Sequence, residues 1–294
     1  DILIRSPENL EEIKEGFDLA KNIFGNITHL DFVNKFYSSV KKKNINLAIN
    51  IINKEVIGFS VNIIKKIKLH NQTVKCGFIS SICIKKNYRG NGISKLLING
   101  SNKNLESKNV LFSIVIARKN LDFFYNKFNF WGVSSFPKID LINLEKFKYL
   151  DKSISVHRVN YRDIKKIDLL YKYAYKNING LFIRKNDDWK FIINKCVNEK
   201  INFLKFKRMG KIIGYVVFKK NEILEIASKN INYYYLLISF LNKKHTFNSF
   251  AFLTNHKHNI NKVLENHDIT YKFRFVPHGG HMVKILNFVK FYKK

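Results

Sequence analysis

The chain has 294 residues, with 53 Lys and Arg against 22 acids and a formal net charge of +31. Apolar residues make up 46% and aromatics 14%, which excludes a disordered chain, and the length suits two domains better than one core. No apolar run approaches the roughly 18 to 20 residues of a membrane span, no charged-then-apolar leader opens the sequence, and three cysteines make no disulfide framework. A reducing, cytoplasmic setting is expected.

The charge has two readings. Residues 1–150 hold 24 bases and 12 acids, and residues 151–294 hold 29 and 10. Such a field attracts phosphates, nucleic acid or anionic lipid. Only 8 of the cations are Arg, however, and the chain is crowded with Lys, Asn and Ile, as AT-rich coding produces. The longest basic run is Lys41-Lys42-Lys43, so the cations also read as a scattered, solvated surface.

The first segment predicts helices. Pro7 to Glu12 places acids in a first turn, followed by Leu10, Ile13, Phe17 and Ala20 at helical spacing. Leu30 to Val40 predicts a second helix. The period then changes to strands over Ile45–Ile52, Val56–Ile67 and Lys75–Ile84, a meander whose third strand is apolar on both faces. Arg89-Gly90-Asn91-Gly92 is a Gly-rich turn. A helix carrying Ile93, Leu96 and Leu97 follows, then a strand over Val110–Ala117 and a helix carrying Leu121, Phe124, Tyr125 and Phe128. In the second half, Lys211-Ile212-Ile213-Gly214-Tyr215-Val216-Val217 echoes Glu55-Val56-Ile57-Gly58-Phe59-Ser60-Val61, and a strand (Ile223–Ala227) and a helix (Tyr233–Leu241) follow it. This context predicts a tandem duplication with its boundary between Leu144 and Lys152.

Strand, Gly-rich turn and helix together make an anion-binding device. Glycines admit a phosphate to the backbone, and free N–H groups at the helix start point toward it. Arg89 adds a cation of phosphate-matching geometry. Here the sequence resembles the GNAT superfamily of N-acetyltransferases, whose pyrophosphate loop reads Arg/Gln-x-x-Gly-x-Gly/Ala. It stands as Arg89-Gly90-Asn91-Gly92-Ile93-Ser94, with Ser94 as a small departure at the last position. Ser81-Ile82-Cys83-Ile84 is similar to the strand whose backbone binds the pantetheine arm. Asn120 with Phe124-Tyr125-Asn126-Lys127-Phe128-Asn129-Phe130 is similar to the family's helix carrying Phe-Tyr-x-Lys-x-Gly-Phe, with Asn129 in place of the glycine. The second half resembles, more faintly, the degenerate second domain of tandem Eis-type enzymes, with Arg184 and Trp189 at matching places. Its Lys229-Asn230-Ile231-Asn232 has lost the glycines of the loop.

The resemblance implies an α/β (α+β) chain of two tandem domains, each a mixed, mostly antiparallel sheet flanked by helices. Residues 1–148 would bind acetyl-CoA, and the degenerate residues 149–294 would shape the acceptor site. It implies acetyl transfer from acetyl-CoA, as co-substrate, to a primary amine of a small, anionic acceptor such as an amino sugar or its nucleotide-linked form. The implied cofactor-binding residues are Ile82, Cys83, Ile84, Arg89, Gly90, Asn91, Gly92, Ile93, Ser94 and Asn120. Tyr125 is the implied general acid for the departing thiolate. Alternatives are a Fem-type aminoacyl transferase using charged tRNA and a non-catalytic nucleic-acid-binding protein.

No general base stands out. The strand from Phe78 to Ile84 has no Glu, which leaves a water relay through Ser80 or Ser81, or His29 or Asp31. His256, His258, His267, His278 and His281 are irregularly spaced and lack ligand partners, so no metal is expected. Cys83 reads as a small buried hydrophobe, and Trp131 and Trp189 as packing residues. The sequence leaves the oligomeric state open.

Overall fold

The computed structural model describes residues 1–25, 42–117, 119–148, 151–244 and 257–288. In chain order the elements are β1 (Ile2–Arg5), α1 (Leu10–Phe24), β2 (Ile45–Asn50), β3 (Val56–Leu69), β4 (Gln72–Ile84), α2 (Ile93–Glu106), β5 (Phe112–Ala117), α3 (Asp122–Asn126) and β6 (Trp131–Leu141). There follow β7 (Ile154–Arg158), α4 (Ile164–Ala174), β8 (Leu181–Phe182), α5 (Asn186–Asn198), β9 (Asn202–Arg208), β10 (Lys211–Lys219), β11 (Glu222–Ser228), α6 (Ile231–Lys244), α7 (Asn259–Asn266) and β12 (Tyr271–Ile285). The helix expected over 30–40 lies outside the described residues, as do His29, Asp31 and His256.

The chain divides into two compact units. One comprises Asp1–Ile67, Asn71–Ser135 and Pro277–Lys294, and the other Lys68–His70 and Phe136–Val276. Residues 136–148, expected to belong with the N-terminal half, thus fall in the second unit, and the C-terminal segment returns to the first. Backbone pairing is the reason. β12 runs antiparallel to β5 from Gly280↔Ala117 to Ile285↔Phe112, a partnership between distant segments that no local pattern announces.

The first unit is a mixed, mostly antiparallel sheet in the order β1-β2-β3-β4-β5-β12-β6. α1 starts at Asn9, whose Oδ1 accepts the Glu12 N–H at 2.8 Å, and Glu11 and Glu12 occupy the first turn where the helix dipole favours them. Phe17 and Ala20 of α1 pack with Phe59 and Cys83 on one sheet face, the rings of Phe17 and Phe59 lying 5.1 Å apart. α2 covers the other face, setting Ile93 and Leu97 on Ala48 and Ile57.

One strand breaks its own alternation. Ile79, Ile82 and Ile84 all pack on the α2 side, while Cys83 packs on the α1 side. Ile79 and Ile82 are an odd number of positions apart, so β4 holds one extra residue between them. Ser81 absorbs it with φ +57°, in the left-handed region.

The second unit is a four-stranded antiparallel sheet, β11-β10-β9-β7, with a core on each face. The repeat inferred around the two glycines recurs in the packing. A Cβ at Gly58 would come within 2.9 Å of Leu97 of α2 and 3.4 Å of the Cys83 carbonyl. One at Gly214 would come within 2.9 Å of both Leu237 of α6 and the Ala227 carbonyl. In each unit the glycine lets a helical leucine rest on the strand backbone.

Candidate active site

The site begins where two parallel strands part. β4 and β5 pair only through Cys76↔Phe112, Gly77↔Ser113 and Phe78↔Ile114, yet β4 runs on to Ile84 and β5 to Ala117. The bulge at Ser81 falls in the separated stretch of β4, where extra twist turns the strand away. Ile82, Cys83 and Ile84 follow the bulge. Past Phe78 the β4 edge has no β5 backbone to bond, so its amide groups are open to an extended ligand inserted between the strands. A backbone N–H there is also a donor for a thioester oxygen. Cys83 is no nucleophile: it is buried against Phe17 and Phe59, and burial pushes its thiol up to about 12.

β4 leads through Lys85 into the Gly-rich turn. The Lys85 N–H donates to the Ile57 carbonyl at 2.8 Å, and Glu55 accepts from Lys85 Nζ at 2.5 Å and from the Tyr88 hydroxyl at 2.8 Å, holding Glu55 below the usual carboxylate range. Arg89 Nε donates to the Ile84 carbonyl at 3.2 Å, tying its guanidinium to the strand end. Gly90 and Gly92 have φ of +89° and +73°, and no atom lies within 4 Å of where a Cβ would stand on either. Gly92 is the N-cap of α2 and offers no side-chain cap. The helical bonds near it begin with Lys95 and Leu96 N–H donating to the Gly92 carbonyl. The N–H groups of Ile93 and Ser94 therefore precede the helix ladder in front of open space, with Asn91 exposed beside them. This cradle fits a pyrophosphate, and the parted strands fit the arm attached to it.

Tyr125 of α3 lies against both separated strands. It packs with Ile79 of β4 and with Val115 and Ala117 of β5, its ring 5.1 Å from Phe124 and 6.1 Å from Phe130. Among the described residues its hydroxyl has no hydrogen-bond partner, and burial raises its phenol above the ordinary value. Asn120 is exposed in the short turn before α3. Asn129 takes the place of the expected glycine without loss of geometry: its φ is +63°, and the Phe130 N–H reaches back to the Tyr125 carbonyl at 3.3 Å.

Other expectations are corrected or relocated. Trp131 is 64% exposed and is not a core residue, because β6 presents it on an open position, whereas Trp189 is buried as expected. Arg184 is locked in the second unit's core, bidentate to Glu225 at 2.8 and 2.5 Å and stacked 4.0 Å above the Tyr171 ring. Tyr215 donates to the same carboxylate at 2.6 Å. Ser80 and Ser81 hydroxyls lie 3.4 Å apart on β4. Among the described residues no three His, Cys, Asp or Glu gather as a metal site would require. The structure also joins a pair the sequence did not single out: Ser134 Oγ lies 2.9 Å from His281 Nδ1, across 147 positions of chain.

This is the architecture of a CoA-dependent acyl transferase: parted parallel strands, a Gly-rich anion turn and an uncapped helix start. Residues 5–133 match the family model described as the acetyltransferase (GNAT) domain. Among solved structures the chain is similar to a probable N-acyltransferase from Enterococcus faecalis V583 (17% identity, 97% of this chain and 73% of that one, TM-score 0.75). It is similar also to Eis1 from Mycobacterium abscessus (11%, 98% and 74%, TM-score 0.67). A third likeness is to Saccharomyces cerevisiae N-myristoyltransferase with bound myristoyl-CoA (11%, 96% and 82%, TM-score 0.56). A comparison with curated protein sequences found no match. No helix among the described residues is long and apolar enough to cross a membrane.

Proposed function

We propose that the protein moves an acetyl group from acetyl-CoA to the primary amine of a small, anionic acceptor, an amino sugar or its nucleotide-linked form. The observation that carries the reading is the Gly90–Gly92 turn, open in front and continuous with the parted end of β4. Acetyl-CoA supplies an activated thioester. Backbone N–H groups of Arg89–Ser94 bind its pyrophosphate, with the Arg89 guanidinium beside them. Backbone groups of Ile82, Cys83 and Ile84 hold the pantetheine arm, and Asn120 lies at the arm's α3 side. A backbone N–H on β4 polarises the carbonyl. The Tyr125 hydroxyl gives its proton to the departing sulfur, a role suited to a phenol that burial keeps protonated.

The second unit supports a role in acceptor shaping and not in CoA binding. At the start of α6 the Asn232 N–H is taken by Asn230 Oδ1 at 2.9 Å, and the Asn230 N–H by Ser228 Oγ at 3.3 Å. That start caps itself, whereas α2 does not. The intact turn in the first unit favours acyl-CoA over charged tRNA as donor. The test is mass spectrometry of a panel of amines incubated with acetyl-CoA and with a long-chain acyl-CoA. Acetylated amino sugar supports the proposal. Transfer only from the long-chain donor, or only to neutral amines, would replace the acetyl group or the acceptor class respectively.

A further inference from the structure

We infer that His281 is the general base of the transfer, positioned by Ser134. The inference rests on the acyl-transfer reading above and supplies what the β4 sequence lacks, since Phe78–Ile84 contains no carboxylate.

Three observations meet at this side chain. First, β12 places it beside the parting strands: His281 is opposite Ile116 on β5, one residue from the Gly280↔Ala117 pair. Its ring meets the ring of Phe78 edge-on, with centroids 6.4 Å apart, and Phe78 is the last residue of β4 to pair with β5. Second, it lies on the face opposite Tyr125. Met282, its neighbour on β12, packs with Tyr125, Ile79 and Val115, so strand alternation turns His281 the other way. An acid and a base for one thioester are thus on opposite faces of the same opening, and an amine can arrive on one side while sulfur leaves on the other. Third, Ser134 Oγ at 2.9 Å from Nδ1 fixes the ring. With Nδ1–H donating to the serine, the basic lone pair is at Nε2.

The proton balance is simple. Nε2 takes one proton from the acceptor's ammonium group, directly or across one water. The neutral amine forms its C–N bond to the thioester carbon, the C–S bond breaks as Tyr125 protonates the sulfur, and the nitrogen's second proton leaves to restore the Tyr125 phenol through water. His281 then loses its proton to solvent, so that one proton is released per amide formed. Phe78 of β4, Ile116 of β5 and Ser134 of β6, which lie beside the imidazole, carry no group that titrates near neutrality. Burial lowers the His281 pKa below its ordinary value, which keeps the ring neutral and able to accept a proton at pH 7.

The test is the pH dependence of kcat/KM for the wild type, His281→Asn, His281→Gln and Ser134→Ala, with acetyl-CoA affinity measured by calorimetry in each. The wild type should show an acidic limb that both His281 variants lose, with turnover at neutral pH falling roughly 10²- to 10⁴-fold and acetyl-CoA affinity unchanged. Ser134→Ala should move that limb while retaining it. An unchanged limb in both His281 variants overturns the inference and leaves acyl transfer standing. A wild type that binds acetyl-CoA but acetylates no amine overturns the reading beneath it. Lost CoA binding in both His281 variants would show a structural role and overturn the inference as well.

Discussion

At the scale of single residues, the proposed chemistry rests on Tyr125 and Gly92. Changing Tyr125 to Phe keeps the ring against Phe124 and Phe130 and removes only the hydroxyl. Steady-state kinetics should show kcat reduced by roughly 10²- to 10⁴-fold with acetyl-CoA affinity little changed. Unchanged turnover would make Tyr125 a packing residue. Gly92→Val acts differently. At φ +73° a β-branched residue is strained, and its methyls would stand in the open space before α2. Calorimetry should show acetyl-CoA affinity reduced at least tenfold, and an equal affinity would place the pyrophosphate elsewhere. Both residues were singled out because they sit in contiguous motifs. His281 was visible only as one of several irregular histidines, because its meaning comes from a strand pairing with β5 and a serine 147 positions away.

Element starts and strand irregularities separate the two units more clearly than their strand patterns do. The motif suggested the open start of α2, and the missing glycines suggested the loss at α6. The side-chain caps of Asn230 and Ser228, however, depend on local rotamers. The bulge in β4 was not read from the sequence, since a strand apolar on both faces hides a slip of one residue until packing shows Ile79 and Ile82 on one face. The start of α7 makes a test of another kind. His258 Nδ1 accepts the Ile260 N–H at 3.2 Å, its ring is packed between Tyr175 and Tyr234, and burial lowers its pKa to about 4. The unfolded chain binds a proton there near the ordinary 6.5, earlier than the folded one, so stability falls as pH drops from about 6.5 toward 4. The loss should reach about 3 kcal/mol, from 1.36 kcal/mol per pKa unit. His258→Asn retains an acceptor for the cap and removes the titration. Urea denaturation across this window should give a flatter profile for the variant, and parallel profiles would assign the pH dependence to other groups.

At the scale of the whole molecule the strongest signal is the net charge of +31. Residues 151–294 hold 29 bases and 10 acids, and a screened field of that sign would draw the anionic acceptor proposed above. Raising ionic strength should increase KM for the acceptor and leave kcat nearly constant. A KM indifferent to salt would make the charge a matter of composition alone. The Gly58 and Gly214 segments drew attention in the sequence, and in each a helical leucine lies on the glycine. The return of Pro277–Lys294 to the first unit was not legible, since the pairing of β12 with β5 is long-range. The central claim is that this site transfers an acyl group from CoA to an amine, and mass spectrometry of the intact protein with acetyl-CoA and an amino-sugar panel tests it most directly. The account predicts free CoA and an acetylated amine in equal amounts, both lost when Gly92 is changed to Val. Acetyl-CoA recovered intact with every amine, by a protein that binds it, would contradict it.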